Sequence, residues 1–290
     1  MADSTTSGSS AFHEVATRVW VARYPWCDVN VTLIGGTRGL VLVDTHSSEL
    51  AAHEVLDDVR RLGAGSVVEI VNTHEHWDHT FGNAVFRDEY GAVPIHATDW
   101  AAEHTLSAGQ HVKDRYAAGD DVHRDEVLAT RVVAADHTFS SARAIDLGDR
   151  QVELIHPGRG HTAGDLVVRV PDVDVMLTGD LIEESAPPAF GDDCHPFEWP
   201  ATIDLMITLL TDRSVVVPGH GSVVDLEFVQ SQRNDIGTVA ETIRDLAGRG
   251  VPMTQALDVG EWPYPVEVLG DAVRCGYDQL PRGARQLPLV

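Results

Sequence analysis

The run Thr73-His74-Glu75-His76-Trp77-Asp78-His79 constrains this chain more than any other feature. It sets three imidazoles and an aspartate within six residues, directly after the apolar run Val67-Val68-Glu69-Ile70-Val71. Imidazole and carboxylate are the ligands that zinc and other borderline divalent metals prefer. Four such groups cannot share an interior without a partner that satisfies them, since each unsatisfied buried group costs about 1–3 kcal/mol. The fold must therefore end a strand at a cleft and bring further ligands to the same place.

Three later segments share that design. In Gly158-Arg159-Gly160-His161-Thr162-Ala163-Gly164-Asp165, the glycines allow a tight turn that presents His161 just before an apolar strand. Val175-Met176-Leu177-Thr178-Gly179-Asp180 is an apolar strand that delivers a carboxylate at its C-terminal end. Val215-Val216-Val217-Pro218-Gly219-His220-Gly221 delivers an imidazole in the same way. Ligands at strand ends are held by a rigid scaffold and face a cleft. Other histidines, among them His46, His96, His137, His156 and His195, are expected to serve packing or supporting roles.

Hydropathy patterning gives the order of elements. Strands are predicted over 15–22 and 30–34, joined by a hairpin tip at 23–28 with exposed aromatics. A buried strand over 40–43 ends at Asp44. A helix over about 48–62 follows, with Leu50, Val55, Leu56, Val59 and Leu62 near helical spacing. The strand at 67–71 precedes the histidine cluster, a helix starting near Asp78 and a short strand at 93–96. Residues 97–130 are polar and helical and read as an insertion flanking the site. Strands at 143–147, 151–156, 166–170 and 173–177 follow, the last two separated by the turn signal Pro171-Asp172. Helices over about 199–210, 226–247 and 265–280 and a strand at 215–217 complete the chain. Two halves of similar layout predict an α+β fold: a four-layer αββα sandwich, two mixed sheets face to face with helices outside. The expected organisation is a disordered tail over 1–11 and a single domain over 12–290, with C-terminal helices over 226–290.

Composition narrows the function. No apolar stretch approaches 18 residues, so no membrane span is expected. A net charge of −24 argues against nucleic acid and anionic membrane as partners, because both need basic patches. Cys27, Cys194 and Cys275 are far apart and form no C-x-x-C, which excludes a disulfide framework and a structural thiolate zinc site. The first ten residues are polar and lack a basic region followed by an apolar one, so a cytoplasmic location is expected.

The ordered set H-x-H-x-D-H at 74–79, G-x-G-H-T-x-G at 158–164, T-G-D at 178–180 and P-G-H-G at 218–221 resembles the metallo-β-lactamase-fold hydrolase superfamily, over roughly residues 15–225. The resemblance implies the αββα fold and two adjacent metal sites. His74, His76 and His161 would hold one metal, Asp78, His79 and His220 the other, and Asp180 would bridge them, as in the glyoxalase-II-like and lactonase-like branches. Class B1 and B2 β-lactamases carry cysteine where this chain has Asp180, which weighs against a dedicated antibiotic-destroying role. Asp44 resembles the family's aspartate that orients the ligand loop. Two Zn2+ are the implied cofactors, with iron or manganese as alternatives.

The implied activity is hydrolysis of a small-molecule ester, thioester, lactone or amide. A hydroxide held between the metals would attack the carbonyl, and Asp78 would be the catalytic residue that orients it and accepts its proton. Tyr24 and Trp26 stand where the family carries a flap over the metals, and Phe190 could line the opposite wall. No basic cluster of the glutathione-binding kind is evident near the C-terminus. The runner-up is a mononuclear iron enzyme like the persulfide dioxygenases, on the same fold; β-lactamase and phosphodiesterase activities rank below it. The diiron flavoprotein branch has glutamate where this chain has His76. Oligomeric state is not legible.

Overall fold

The structure is a computed structural model in which residues 10–280 are described. The expected tail over 1–9 and the last ten residues of the expected C-terminal helical region lie outside the described residues. Ser10 and Ala11, which that tail includes, are tied to the first helix: the Ser10 hydroxyl donates to the Asp58 carbonyl and the Ala11 amide to the Asp58 carboxylate.

The first half runs β1 (His13–Ala16), β2 (Val19–Tyr24), β3 (Val29–Gly36), β4 (Gly39–Val43), α1 (Glu49–Leu62), β5 (Val67–Val71), α2 (Trp77–Thr80), α3 (Asn83–Tyr90), β6 (Ile95–Thr98), α4 (Asp99–Ala118), α5 (Arg124–Ala129) and β7 (His137–Phe139). The second runs β8 (Ala142–Asp146), β9 (Gln151–Ile155), β10 (Val167–Val170), β11 (Val175–Glu183), α6 (Trp199–Ile207), β12 (Val215–His220), α7 (Leu226–Gly248), α8 (Met253–Val259) and α9 (Gly270–Gln279). The first sheet has the order β7-β6-β5-β4-β3, with β2 also on β3 and β1 on β2; the second has β12-β11-β10-β9-β8. Hydrogen bonding passes from one to the other where His220 on β12 lies opposite Val29 on β3. Both sheets are mixed: β4, β5, β6 and β7 are parallel, as are β11 and β12, and the other pairings are antiparallel.

The period-2 alternation of strand side chains builds the layers. On β4, Val41 and Val43 point into a core shared with Val168 and Val170 of β10, Val175 and Leu177 of β11 and Val217 of β12. That shared core places the sheets face to face. The alternate residues Leu40 and Leu42 pack with Ala52, Val55, Leu56 and Val59 of α1 and Phe86 of α3. On the far side, Val167, Met176 and Val216 pack with Ile203 and Met206 of α6 and Val229, Ile236, Val239 and Ile243 of α7. Strands covered on both faces read as continuous apolar runs, which is how β4 and residues 215–217 of β12 stand in the sequence. The four-layer sandwich is therefore present.

Several local expectations are corrected. The strand expected over 15–22 is two strands around a tight turn in which Arg18 takes φ 57°, and the turn has no glycine or proline to mark it. Leu50 is 65% exposed, and Ala52 takes the buried position on α1. Ser48 caps that helix, its side chain accepting from the Ala51 amide, and Gly63 closes it at φ 64°. The helix expected over 265–280 begins with a 3-10 turn at Val266–Val268 and becomes α-helical only from Gly270. No helix among the described residues is long and apolar enough to cross a membrane.

Candidate metal centre

β5 carries the chain to the histidine cluster, and Asp44, at the end of the neighbouring β4, meets it there. The Asp44 carboxylate accepts from the Thr73 amide (2.9 Å), the Thr73 hydroxyl (2.9 Å) and His79 Nδ1 (2.9 Å). Asp44 sits at φ 60°, a left-handed conformation that aspartate tolerates better than most residues. From the second half, His161 arrives on the turn before β10, and His220 is the last residue of β12.

Asp180 arrives differently from the expectation. β11 does not end there but runs on to Glu183. Its register against β12 shifts on both sides of Gly179, which adopts φ 50°. That irregularity twists the strand locally and turns the Asp180 carboxylate into the cluster. Gly219 leaves room for it: a Cβ there would stand 1.9 Å from Asp180 Oδ1.

All seven expected ligands converge. The ligand atoms of His74, His76, His161 and Asp180 lie within 4.8 Å of one another, and so do those of Asp78, His79 and His220. Asp180 stands between the sets. Its Oδ2 is 3.8 Å from His74 Nε2, 3.5 Å from His161 Nε2 and 3.2 Å from His220 Nε2, and its Oδ1 is 3.2 Å from His79 Nε2. Asp78 Oδ2 is 3.3 Å from His220 Nε2 and 3.5 Å from His79 Nε2.

The outer hydrogen bonds decide what these rings present inward. His161 Nδ1 donates to the Ala189 carbonyl (2.8 Å) and His220 Nδ1 to the Cys27 carbonyl (2.7 Å). A carbonyl only accepts, so both rings carry their proton on the outside. His79 Nδ1 donates to Asp44 and His76 Nε2 to Asp193 (3.0 Å). The Thr73 hydroxyl donates to Asp44 and so accepts from His74 Nδ1 (3.1 Å). Five imidazoles thus turn their second nitrogen inward. His76 Nδ1 faces His161 Nε2 at 2.8 Å, and His79 Nε2 faces His220 Nε2 at 3.2 Å. Two lone pairs at such distances repel unless a cation or a proton lies between them. His74 Nε2 and Asp180 Oδ1 are buried with no hydrogen-bond partner. The donor set fits divalent metal, and the fixed outer N–H is what metal-ligating histidines require.

The charges are coupled. Burial opposes ionisation of Asp180, but His220, His79 and His74 outweigh it and hold the carboxyl well below its usual range. Burial is the largest single influence on His220 and lowers it, but Asp180 and Asp78 together raise it further, to about 10. His76 is likewise lowered most by burial, and Asp193, with Glu75 and Asp78, raises it in sum to about 9. Burial takes His161 down to about 4 and His74 well below its ordinary value.

Asp44 touches the cluster only through His79 and Thr73. Asp44→Ala is expected to weaken metal affinity about 10–100-fold without abolishing it, read by competition with a chromophoric chelator. Asp44→Asn, which keeps the tolerance for positive φ, separates loss of the carboxylate charge from backbone strain. Unchanged affinity in both variants would remove the orienting role.

The expected substrate contacts fare unequally. Tyr24 is 2% exposed, and its hydroxyl donates to Asp58 on α1. It belongs to the core between the first sheet and its helices, so the expectation that it meets substrate is corrected. Trp26 stacks on His123 with ring centroids 3.8 Å apart and packs against Trp77 at 5.5 Å. Its ring fastens the hairpin tip to the insertion, beside Trp77. Phe190 does line the cleft, with Asp78, His161, Asp180 and His220, around a cavity of about 380 Å³. A larger groove of about 770 Å³ adjoins it, sharing His76 and Gly191. Its walls include Trp77, Gly191 and the face of α4 bearing Trp100, His104 and His111. Sequence reasoning missed Asp193, which holds His76, and Trp100, whose indole donates to Glu75 (3.1 Å). Both lie far from the motifs, and only the aspartate-rich loop after Phe190 hinted at the first.

Comparison with known proteins places this arrangement. A family model described as the metallo-beta-lactamase superfamily matches residues 24–220. A metallo-beta-lactamase type 2 from Bacillus sp. (strain 170) is 25% identical over 198 residues, 68% of this chain and 68% of that protein. A linear primary-alkylsulfatase from Pseudomonas sp. is 25% identical over 244 residues, 73% of this chain but 44% of that protein. Among solved structures, a metallo-beta-lactamase from Pontibacter korlensis superposes with TM-score 0.62 at 21% identity, covering 78% of this chain and 98% of the other. A sec-alkylsulfatase from Pseudomonas sp. superposes with TM-score 0.74 at 19% identity, covering 93% of this chain and 50% of the other. Fold, ordered motifs and the family match agree, and the chain belongs to the metallo-β-lactamase superfamily of metal-dependent hydrolases.

Proposed function

We propose that this protein is a dinuclear zinc hydrolase that cleaves a carbonyl compound, an ester, thioester, lactone or amide of a small molecule. The observation that carries the reading is the inward convergence of five imidazole nitrogens and two aspartates, with the outer nitrogens of His161 and His220 held by backbone carbonyls. His74, His76 and His161 would hold one cation, Asp78, His79 and His220 the other, with Asp180 shared. Such a pair supplies Lewis-acid polarisation and water acidified to a pKa of about 7.

The chain's own residues do the rest. Asp78 is the ligand-set carboxylate most open to the cleft, its side chain 13% exposed against 6% for Asp180. It can therefore orient the attacking water and accept its proton. Phe190 and the cleft's Ala186, Pro187 and Ala189 cover one wall and exclude bulk water from the reacting carbonyl. The adjoining groove, with Trp77, Trp100 and His104, seats the remainder of the substrate. Asp78, His79 and His220 are all present and drawn together, which supports two ions over the mononuclear iron alternative.

Metal analysis of protein purified without added metal tests the reading, paired with a panel of lactones, thioesters, phosphodiesters, β-lactams and alkyl sulfates. Two zinc equivalents and turnover of a lactone or thioester are the expected result. One iron per chain, with oxygen uptake on a persulfide, would replace this reading with the dioxygenase one.

A further inference from the structure

The cleft contains a buried acid that the scheme above leaves idle. Glu183 is the last residue of β11, 5% exposed, and pairs in register with His220 of β12. Its carboxylate lies within 4.8 Å of the ligand atoms of both Asp180 and His220 and faces the same cavity as Asp78. Its backbone is clamped from α7: the Glu183 amide donates to the Gln232 side-chain carbonyl (3.0 Å), and the Gln232 amide group donates to the Glu183 carbonyl. The Ser185 hydroxyl donates to one carboxylate oxygen.

Three carboxylates, Asp78, Asp180 and Glu183, therefore converge at one end of the cluster. Among the described residues none of the three forms an ion pair with lysine or arginine. Asp180 Oδ1 is itself buried without a hydrogen-bond partner. Like charges gathered out of water repel strongly, and two imidazoles offset them only in part. A multivalent cation resolves the conflict.

We propose that Glu183 is a further ligand of the metal held by Asp78, His79 and His220, an assignment that rests on the dinuclear reading above. The two positions then differ in chemistry. The first has three imidazoles and the shared Asp180. The second has two imidazoles and three carboxylates, a harder and higher-coordinate set. Carboxylate oxygen suits manganese, and imidazole suits zinc. The second position is accordingly the one that accepts Mn2+ in place of Zn2+.

Titrating metal-free protein with Zn2+ and with Mn2+ tests this, with bound Mn2+ followed by its electron paramagnetic resonance. Wild type is expected to bind two Zn2+, and one Mn2+ beside one Zn2+. Glu183→Gln keeps the side chain's shape and the Gln232 clamp. It is expected to lose at least about tenfold in Mn2+ affinity while the first Zn2+ binds as in wild type, which also reports an intact fold. Glu183→Asp, which keeps the charge, is expected to recover part of the Mn2+ affinity. Two ions bound with equal affinities in wild type and Glu183→Gln would overturn the assignment of Glu183 while leaving the dinuclear reading standing. A single ion in wild type would overturn both.

Discussion

Asp180→Ala protein is expected to emerge from purification without metal at either position and to lose at least about four orders of magnitude in kcat/KM. That loss corresponds to about 5.4 kcal/mol of barrier. The reason is positional. Asp180 sets its carboxylate against rings from both sets of expected ligands, 3.2 Å from His79 and His220 and 3.5 Å from His161. Without it no carboxylate would stand between the two proposed cations, and mutual repulsion would oppose binding the second. Asp180→Asn retains the volume beside Gly219 and removes only the charge, so equal losses in the two variants, with unchanged far-ultraviolet circular dichroism, isolate the electrostatic role. Full metal content and turnover in either variant would exclude the proposed centre.

Removing the metal from the unaltered chain should lower its melting temperature by about 8–16 °C. A ligand present at 1,000 times its dissociation constant stabilises the folded state by about 4.1 kcal/mol. In a domain of this size each kcal/mol moves the midpoint by about 2–4 °C. The facing nitrogens of His76 and His161 and of His79 and His220 show where the stabilisation originates. The chain should remain folded after chelation, because the inter-sheet core and both helix-facing cores are independent of the cluster. Zn2+ should restore the transition and Mg2+ should not, since imidazole ligands suit the former. A midpoint indifferent to dipicolinate, with metal loss confirmed, would mean that the cluster contributes nothing to stability by binding cations.

The layers and the candidate metal-ligand cluster were readable because both are written locally. Leu40-Val41-Leu42-Val43 declares a strand buried on both faces, and the structure sends its residues alternately into two cores. The seven ligands stand in four motifs, each beside a strand. What escaped notice depends on contacts between distant segments. Tyr24 reads as an exposed aromatic on a turn, but its partner Asp58 is 34 residues away on α1. Asp193 meets His76 across 117 residues, and no spacing rule connects them. The extension of β11 past Asp180 depends on its pairing with β12, and Glu183 lies three residues beyond a recognisable motif. Arg18 turns the chain at positive φ without the glycine that would have marked it.

Two of the five imidazoles are aimed by main-chain oxygens, those of Cys27 and Ala189, rather than by side chains. Substitution at either position leaves the oxygen in place as long as the loop keeps its path. Evolution could therefore rewrite the rims of the cavity, and with them the choice of substrate, while His161 and His220 hold their aim. The rings of His76 and His79 have no such latitude, because Asp193 and Asp44 orient them with side chains.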